Sequence, residues 1–104
     1  MNEHISAIST RSREAAWISE AASRVHQLTP RQLEALRCLA AGMDGRALAK
    51  ALRCSDRTAK LHTSEIIRRL GVGSRLQAGL VGYHLIMTGR FPPAEGAMPE
   101  GSST

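Results

Sequence analysis

Between Cys54 and Leu70 the chain puts its chemistry on one side of a helix. At about 100° per residue, Arg57, Lys60, Leu61, Ser64 and Arg68 fall in a single stripe. Ala59, Thr63, Ile66 and Leu70 fall in the opposite stripe, with His62 at its flank. The first stripe supplies guanidinium, ammonium and hydroxyl donors, and the second can seat on a small core. A cationic ridge backed by an apolar face is what a helix needs to sit on a domain and lie in the major groove of DNA. An ordinary amphipathic surface helix with solvated charges shows the same division, so the flanking elements have to decide between the two.

Those elements can be placed from capping chemistry. Thr29 precedes Pro30, with Gln32 three residues on, which predicts a capping box with proline at the first helical position. The helix runs to about Ala41 and is closed by Gly42; Leu33, Leu36 and Ala40 form its core stripe with Leu39 beside it. Asp44 caps a short helix over about 45–52, whose apolar residues are Leu48, Ala49 and Leu52. Ser55 caps the next helix, Asp56 adds a favourable charge at its start, and Gly71 ends it. Ser74 with Gln77 predicts a second capping box, opening a helix that runs to about Thr88 before Gly89. Only a few residues around Arg53 and Cys54 separate the short helix from the half-basic one, so the pair forms a helix-turn-helix.

Charge follows this organisation. Residues 1–27 balance three Arg against three Glu, residues 28–90 set eleven Lys and Arg against four acids for a net +7, and residues 91–104 carry −2. The positive potential lies in the middle block, as a partner polyanion requires, although acidic membranes and acidic proteins also attract such a surface. At 104 residues there is room for one small domain and its tails. Trp17, Tyr83 and Phe91 are the whole aromatic set, so the core must be aliphatic, which favours packed helices over a sheet. Cys38 and Cys54 have no metal spacing and read as reduced thiols in a cytoplasmic protein. No secretion signal and no run of roughly 20 apolar residues is present, so no membrane partner is expected.

The helix over about 75–88 is apolar on two faces. Leu76, Leu80, Tyr83 and Met87 line one; Ala78, Val81, Gly82 and Leu85 line the other, with Gly79 and Ile86 to its side. A surface helix needs one apolar face. Because Gly79 and Gly82 admit a close backbone, the second face (Ala78, Gly79, Val81, Gly82, Leu85, Ile86) is assigned to a two-fold partner helix. The alternative is that the chain's own N-terminal segment covers it. That segment, 12–27, reads as a helix in which Trp17, Ala21 and Val25 share a stripe. Residues 1–11 are expected to be flexible, and 91–104, rich in Pro and Gly, a disordered tail.

Several of these segments carry a family resemblance. Leu28-Thr29-Pro30-Arg31-Gln32-Leu33-Glu34-Ala35-Leu36, Ala41-Gly42, Leu48-Ala49, Ser55-Asp56-Arg57-Thr58-Ala59-Lys60-Leu61-His62, Ile66, Leu70-Gly71-Val72 and Ser74-Arg75-Leu76-Gln77-Ala78 resemble the LuxR-type DNA-binding domain, also called GerE or FixJ/NarL type. The resemblance covers about residues 28–88. It implies an all-α, four-helix helix-turn-helix module of a bacterial transcription regulator, here with an additional N-terminal helix over 12–27 ahead of the domain at 28–90. It places Lys60, Leu61 and Ser64 toward the groove and Thr58, His62, Arg46 and Arg68 near phosphates. It also implies that the last helix pairs two subunits, and it adds RNA polymerase as a further partner and the nucleoid as the site of action. Three departures stand out: Gln32 where the family prefers Glu, Asp44-Gly45-Arg46-Ala47 in place of a Ser/Thr-Asn-Lys-Glu pattern, and Ala59 in place of Val. The 27 residues ahead of the match are too few for the sensing domain most relatives carry, so the chain reads as a stand-alone version.

The expected mechanism is a homodimer reading an approximate inverted repeat, with half-sites about 10 bp apart. Arg46, Arg57, Arg68 and Arg69 hold phosphates, Lys60 addresses guanine O6/N7, Leu61 a thymine methyl, and Ser64 either kind of contact. A competing function is a protein-interaction module that heterodimerises with a longer family member. An enzyme has little support: there are no paired carboxylates, nucleophile elbow or glycine-rich phosphate loop, and His4, His26, His62 and His84 share no metal spacing. No cofactor and no metal are expected.

Overall fold

The computed structural model describes residues 16–93. The expected flexible start (1–11), the beginning of the N-terminal helix and the tail from residue 94 lie outside the described residues. Within them the chain is all-α. Helix α1 occupies 16–22, a 3-10 turn follows at Val25–Gln27, and then come α2 (Pro30–Ala40), α3 (Gly45–Leu52), α4 (Asp56–Leu70) and α5 (Arg75–Met87).

The caps account for these boundaries. Thr29 Oγ1 accepts from the Gln32 N–H (3.1 Å) while Gln32 Oε1 accepts from the Thr29 N–H (3.0 Å), a reciprocal capping box. Asp44 accepts from Ala47 N–H and Ser55 from Thr58 N–H at the starts of α3 and α4. At α5 the box is not reciprocal. Ser74 Oγ accepts from Gln77 N–H, but the Gln77 carbonyl oxygen reaches past Ser74 and accepts from the Gly73 N–H. The expected second capping box is thus corrected to a simple serine cap with an extra brace on the preceding loop.

All four of these helices end in one pattern. An amide two or three residues past the helix donates to the carbonyl five residues back (Met43 to Cys38, Cys54 to Ala49, Val72 to Ile67, Arg90 to Leu85), and the residue before it adopts positive φ. Gly42, Gly71 and Gly89 supply that conformation in three cases; after α3 it falls to Arg53, at φ 57°. A side chain in this region costs about 1–2 kcal/mol. Arg31 adds to the same junction, its guanidinium donating to the last carbonyl of α3, Leu52.

Leu36, Leu48, Ile66, Leu70 and Val81 are fully buried, so α2, α3, α4 and α5 each send at least one large side chain to the centre. Packing is most extensive between α2 and α5. There the sequence reading of α5 is reversed. Ala78, Gly79, Val81, Gly82 and Leu85, assigned above to a partner subunit, are buried inside this chain, with Ile86 half-buried at their edge. The backbone that Gly79 and Gly82 admit is that of α2: a Cβ at Gly79 would stand 2.9 Å from the Leu39 carbonyl oxygen, and one at Gly82 3.1 Å from that of Leu36. Small residues let two helices of one domain approach closely, so this face is buried within the chain against α2, and at its end Leu85 lines a pocket with Ala22, Val25 and His26 of the N-terminal segment. The outward face is the other one, with Leu76, Leu80, Tyr83 and Met87 exposed by 72, 41, 54 and 61 %.

Two end segments also differ from expectation. The N-terminal helix does not continue to residue 27. Ser23 Oγ bonds back to the Glu20 carbonyl and Arg24 N–H to Ala21 O, which tightens the chain into a turn before Val25. Past α5, Phe91 packs against the core beneath the Arg37 guanidinium, 4.2 Å from the ring centroid. Phe91 and Pro92, both half-buried, therefore belong to the fold although they were expected in the tail.

Candidate nucleic-acid interface

Helix α4 divides as its sequence requires. Ala59, Thr63, Ile66 and Leu70 are buried, and the one polar group among them, the Thr63 hydroxyl, donates to the Ala59 carbonyl. Arg57, Lys60, Leu61, Ser64 and Arg68 are exposed on the opposite side. Leu61, 59 % exposed, is a large aliphatic side chain in the middle of a charged ridge. Thr58 and His62 are half-buried at the edges of the ridge. Thr58 is further engaged by the helix cap, its Oγ1 accepting from the Ser55 hydroxyl.

The ridge borders a groove of about 280 Å³ between α3, α4 and α5, lined by Arg46, Lys60, Thr63, Ser64 and Arg75 together with Asp56. Arg46 is exposed on the first turn of α3, so the fold brings it to the same surface as Lys60. Arg75 carries charge into this groove although the stripe on α4 could not reveal it. Its guanidinium donates to the Met43 carbonyl and ties the α2–α3 loop to the start of α5.

Arg68 and Arg69 part company. Glu65 takes both as ion-pair partners: Arg68 from the exposed side, and Arg69 through Nε at 2.8 Å. Hydrogen bonds from Arg68 and then Arg69 hold the Glu65 carboxyl below the usual carboxylate range. Arg69 also donates through Nη1 to the Gln27 carbonyl (2.7 Å) and lies 3.4 Å from Gln32 Oε1. Arg69, expected among the phosphate contacts, is thus engaged within the chain and braces α4 against the 3-10 turn, with its side chain 31 % exposed. The signal in the sequence was Glu65, four residues before Arg69 on the same helix face.

Other chemistry is sparse. Both cysteines are free and half-buried. Burial, and secondarily the Glu34 charge, raise the Cys38 thiol, which keeps it protonated and a weak nucleophile. Among the described residues no three His, Cys, Asp or Glu side chains cluster as metal ligands, and no helix is long and apolar enough to cross a membrane.

A short helix, a tight turn and a longer helix with a cationic outer ridge, held by α2 and α5, make a helix-turn-helix module. The family model for bacterial regulatory proteins of the luxR family (GerE) matches residues 26–81, and the chain belongs to that family. It is similar to the nitrate/nitrite response regulator NarL of Escherichia coli K12, 30 % identical over 56 residues that make up 54 % of this chain and 26 % of NarL. It is 37 % identical over 54 residues to the nitrate/nitrite response regulator NarP of the same organism, covering 52 % of this chain and 25 % of NarP. It is likewise 37 % identical over 54 residues to the transcriptional regulatory protein DegU of Brevibacillus brevis, covering 52 % of this chain and 23 % of DegU. The chain thus spans about a quarter of the length of these relatives. No solved structure matches it.

Proposed function

We propose that this chain binds duplex DNA sequence-specifically as a homodimeric transcription regulator, with α4 in the major groove. One observation carries the reading: the exposed face of α4 combines Arg57, Lys60, Leu61 and Ser64, a set able to bind both phosphates and base edges, while its opposite face anchors the helix in the core. Membership of a family of bacterial regulatory proteins, and relatives named as response regulators and as a transcriptional regulatory protein, support it. Lys60 addresses guanine O6/N7, Leu61 a thymine methyl, and Ser64 either kind of contact. Arg46, Arg57 and Arg68, with Thr58 and His62 at the edges, set register on the phosphates.

The homodimer forms through the outer face of α5. Leu76, Leu80, Tyr83 and Met87 make one stripe beside a shallow apolar cleft of about 490 Å³ floored by Leu39, Ala40 and Gly79. A stripe paired with its own copy about a two-fold axis needs no second surface. Half-sites then lie about 10 bp apart.

The test is enrichment of duplexes from a random library by the purified chain, followed by binding of the enriched sequence at 50–200 mM salt. An inverted repeat, and affinity that falls steeply with salt, are expected. Absence of any salt-sensitive duplex binding overturns the proposal. An enriched single half-site, with a monomer in solution, removes the homodimer and favours pairing with a longer family member.

A further inference from the structure

Arg24 sits in the turn between α1 and the 3-10 turn, 46 residues from the end of α4, yet its Nη1 donates to the Leu70 carbonyl at 2.9 Å. That carbonyl is the last of α4, at the negative end of the helix dipole, so a guanidinium there is favourable in charge as well as in hydrogen bonding. The contact is fitted. Gly71 holds φ 72°, and a Cβ on it would stand 3.2 Å from Arg24 Nη1 and 3.5 Å from its Cζ. A glycine at this position thus gives both the left-handed turn and the space the guanidinium fills.

A second bond runs the opposite way. Arg69 Nη1 donates to the Gln27 carbonyl at 2.7 Å. Two crossed guanidinium–carbonyl bonds therefore join 24–27 to 69–70. Helix α1 continues the contact: Ala21 is buried, and Trp17, Ala21 and Arg24 face Gly71, Val72, Gly73 and Gln77 across a shallow pocket. The N-terminal segment thus lies over the four-residue link between α4 and α5, which contains two glycines.

We infer that Arg24 is a positioning residue for DNA reading: through the Leu70 carbonyl it fixes the angle of α4 to α5, and with it the half-site separation the protein accepts. The inference rests on the DNA-binding reading above, because the link joins the helix that enters the groove to the helix that pairs the subunits.

The experiment uses the full chain, the duplex it enriches from a random library, the same duplex with the half-site separation changed by one base pair, and a scrambled duplex. Arg24→Met should weaken the enriched duplex about tenfold and leave the scrambled duplex within about twofold. It should narrow the gap between the enriched and respaced duplexes and leave the salt slope unchanged. Backbone amides of Gly71 and Val72 should exchange hydrogen faster, with no DNA present. Arg24→Lys, which still offers a charged donor, should recover part of each effect. Should Arg24→Met not fold, Arg24→Gln serves with the same outcomes.

Three results overturn the inference while leaving DNA binding intact: equal losses on enriched and scrambled duplexes, which mark a role in stability alone; a salt slope smaller by about one, which marks a direct phosphate contact; or unchanged amide exchange at residues 71 and 72. Failure of the unsubstituted chain to bind any duplex overturns the DNA-binding reading, and this inference with it.

Discussion

Helices α4 and α5 pose the same question, which side faces in, and answer it by different physics. On α4 charge decides. Arg57, Lys60 and Arg68 cannot be buried without partners, so the stripe opposite them must be the inner one. On α5 no charge past the first turn discriminates, and size decides: Ala78, Gly79, Val81, Gly82 and Leu85 go in, while the bulkier Leu76, Leu80, Tyr83 and Met87 stay out. Ranking by hydrophobicity alone puts the wrong face inside. Close approach to α2 leaves no room for a methyl at Gly79, where it would meet the Leu39 carbonyl, and only tight room at Gly82.

The largest effect that tests this contrast is on the inner face of α5. Gly79→Ala at an exposed helix site would stabilise by about 1 kcal/mol. Here the added methyl meets the Leu39 backbone, and the change should destabilise by about 1–3 kcal/mol, read as a fall in midpoint on urea unfolding. A gain in stability would show that α2 and α5 are not so closely packed. On the outer face, Tyr83→Asp should leave the monomer's stability within about 0.5 kcal/mol and weaken self-association by about 2 kcal/mol. Sedimentation at several concentrations separates the two. Unchanged association would remove this face from the dimer.

On the outer face of α4, Lys60→Ala should cost about 1–3 kcal/mol on the enriched sequence and relax preference at one base pair. Binding to a panel of single-base variants reads this out, and intact discrimination would reassign the base contact. The smallest effect concerns Glu65. Its folded-state carboxyl is held low by Arg68 and Arg69, so its contribution to stability is present above the ordinary carboxylate range and is lost as pH falls through the lowered value. Glu65→Gln should therefore flatten the acid limb of the stability profile slightly. It should also release Arg68 to a phosphate, steepening the salt slope by up to about one. An unchanged acid limb and slope would mean that the pair does not hold Arg68 in solution.

How far the sequence could be read follows from the same division. Helix starts were legible because caps act within three residues: Thr29, Asp44, Ser55 and Ser74 all accept from the expected amide. The ends marked by Gly42, Gly71 and Gly89 were legible for the same reason. Arg53 was not recognised as taking the same conformation, because nothing in its type favours positive φ. The two faces of α4 were readable from periodicity, and the orientation of α5 was not. Contacts between distant residues were the least visible. Arg24, Arg31 and Arg75 each donate to a carbonyl at least 21 residues away, and an arginine in a basic sequence does not announce which of its neighbours is a backbone oxygen. Nor does the type of Arg69 reveal its bonds to Glu65 and to the Gln27 carbonyl.

The Phe91–Arg37 stack and the Arg24 bond also mean that the folding unit and the family unit do not coincide. The family match covers residues 26–81, yet Ala21, Ala22 and Leu85 belong to the buried core and Phe91 packs against it. A fragment trimmed to the shared homology would lack these side chains and the Arg24 bond to the Leu70 carbonyl. What descends with the family is the reading head; what keeps it solid in this chain is supplied partly by segments on either side that the relatives need not share.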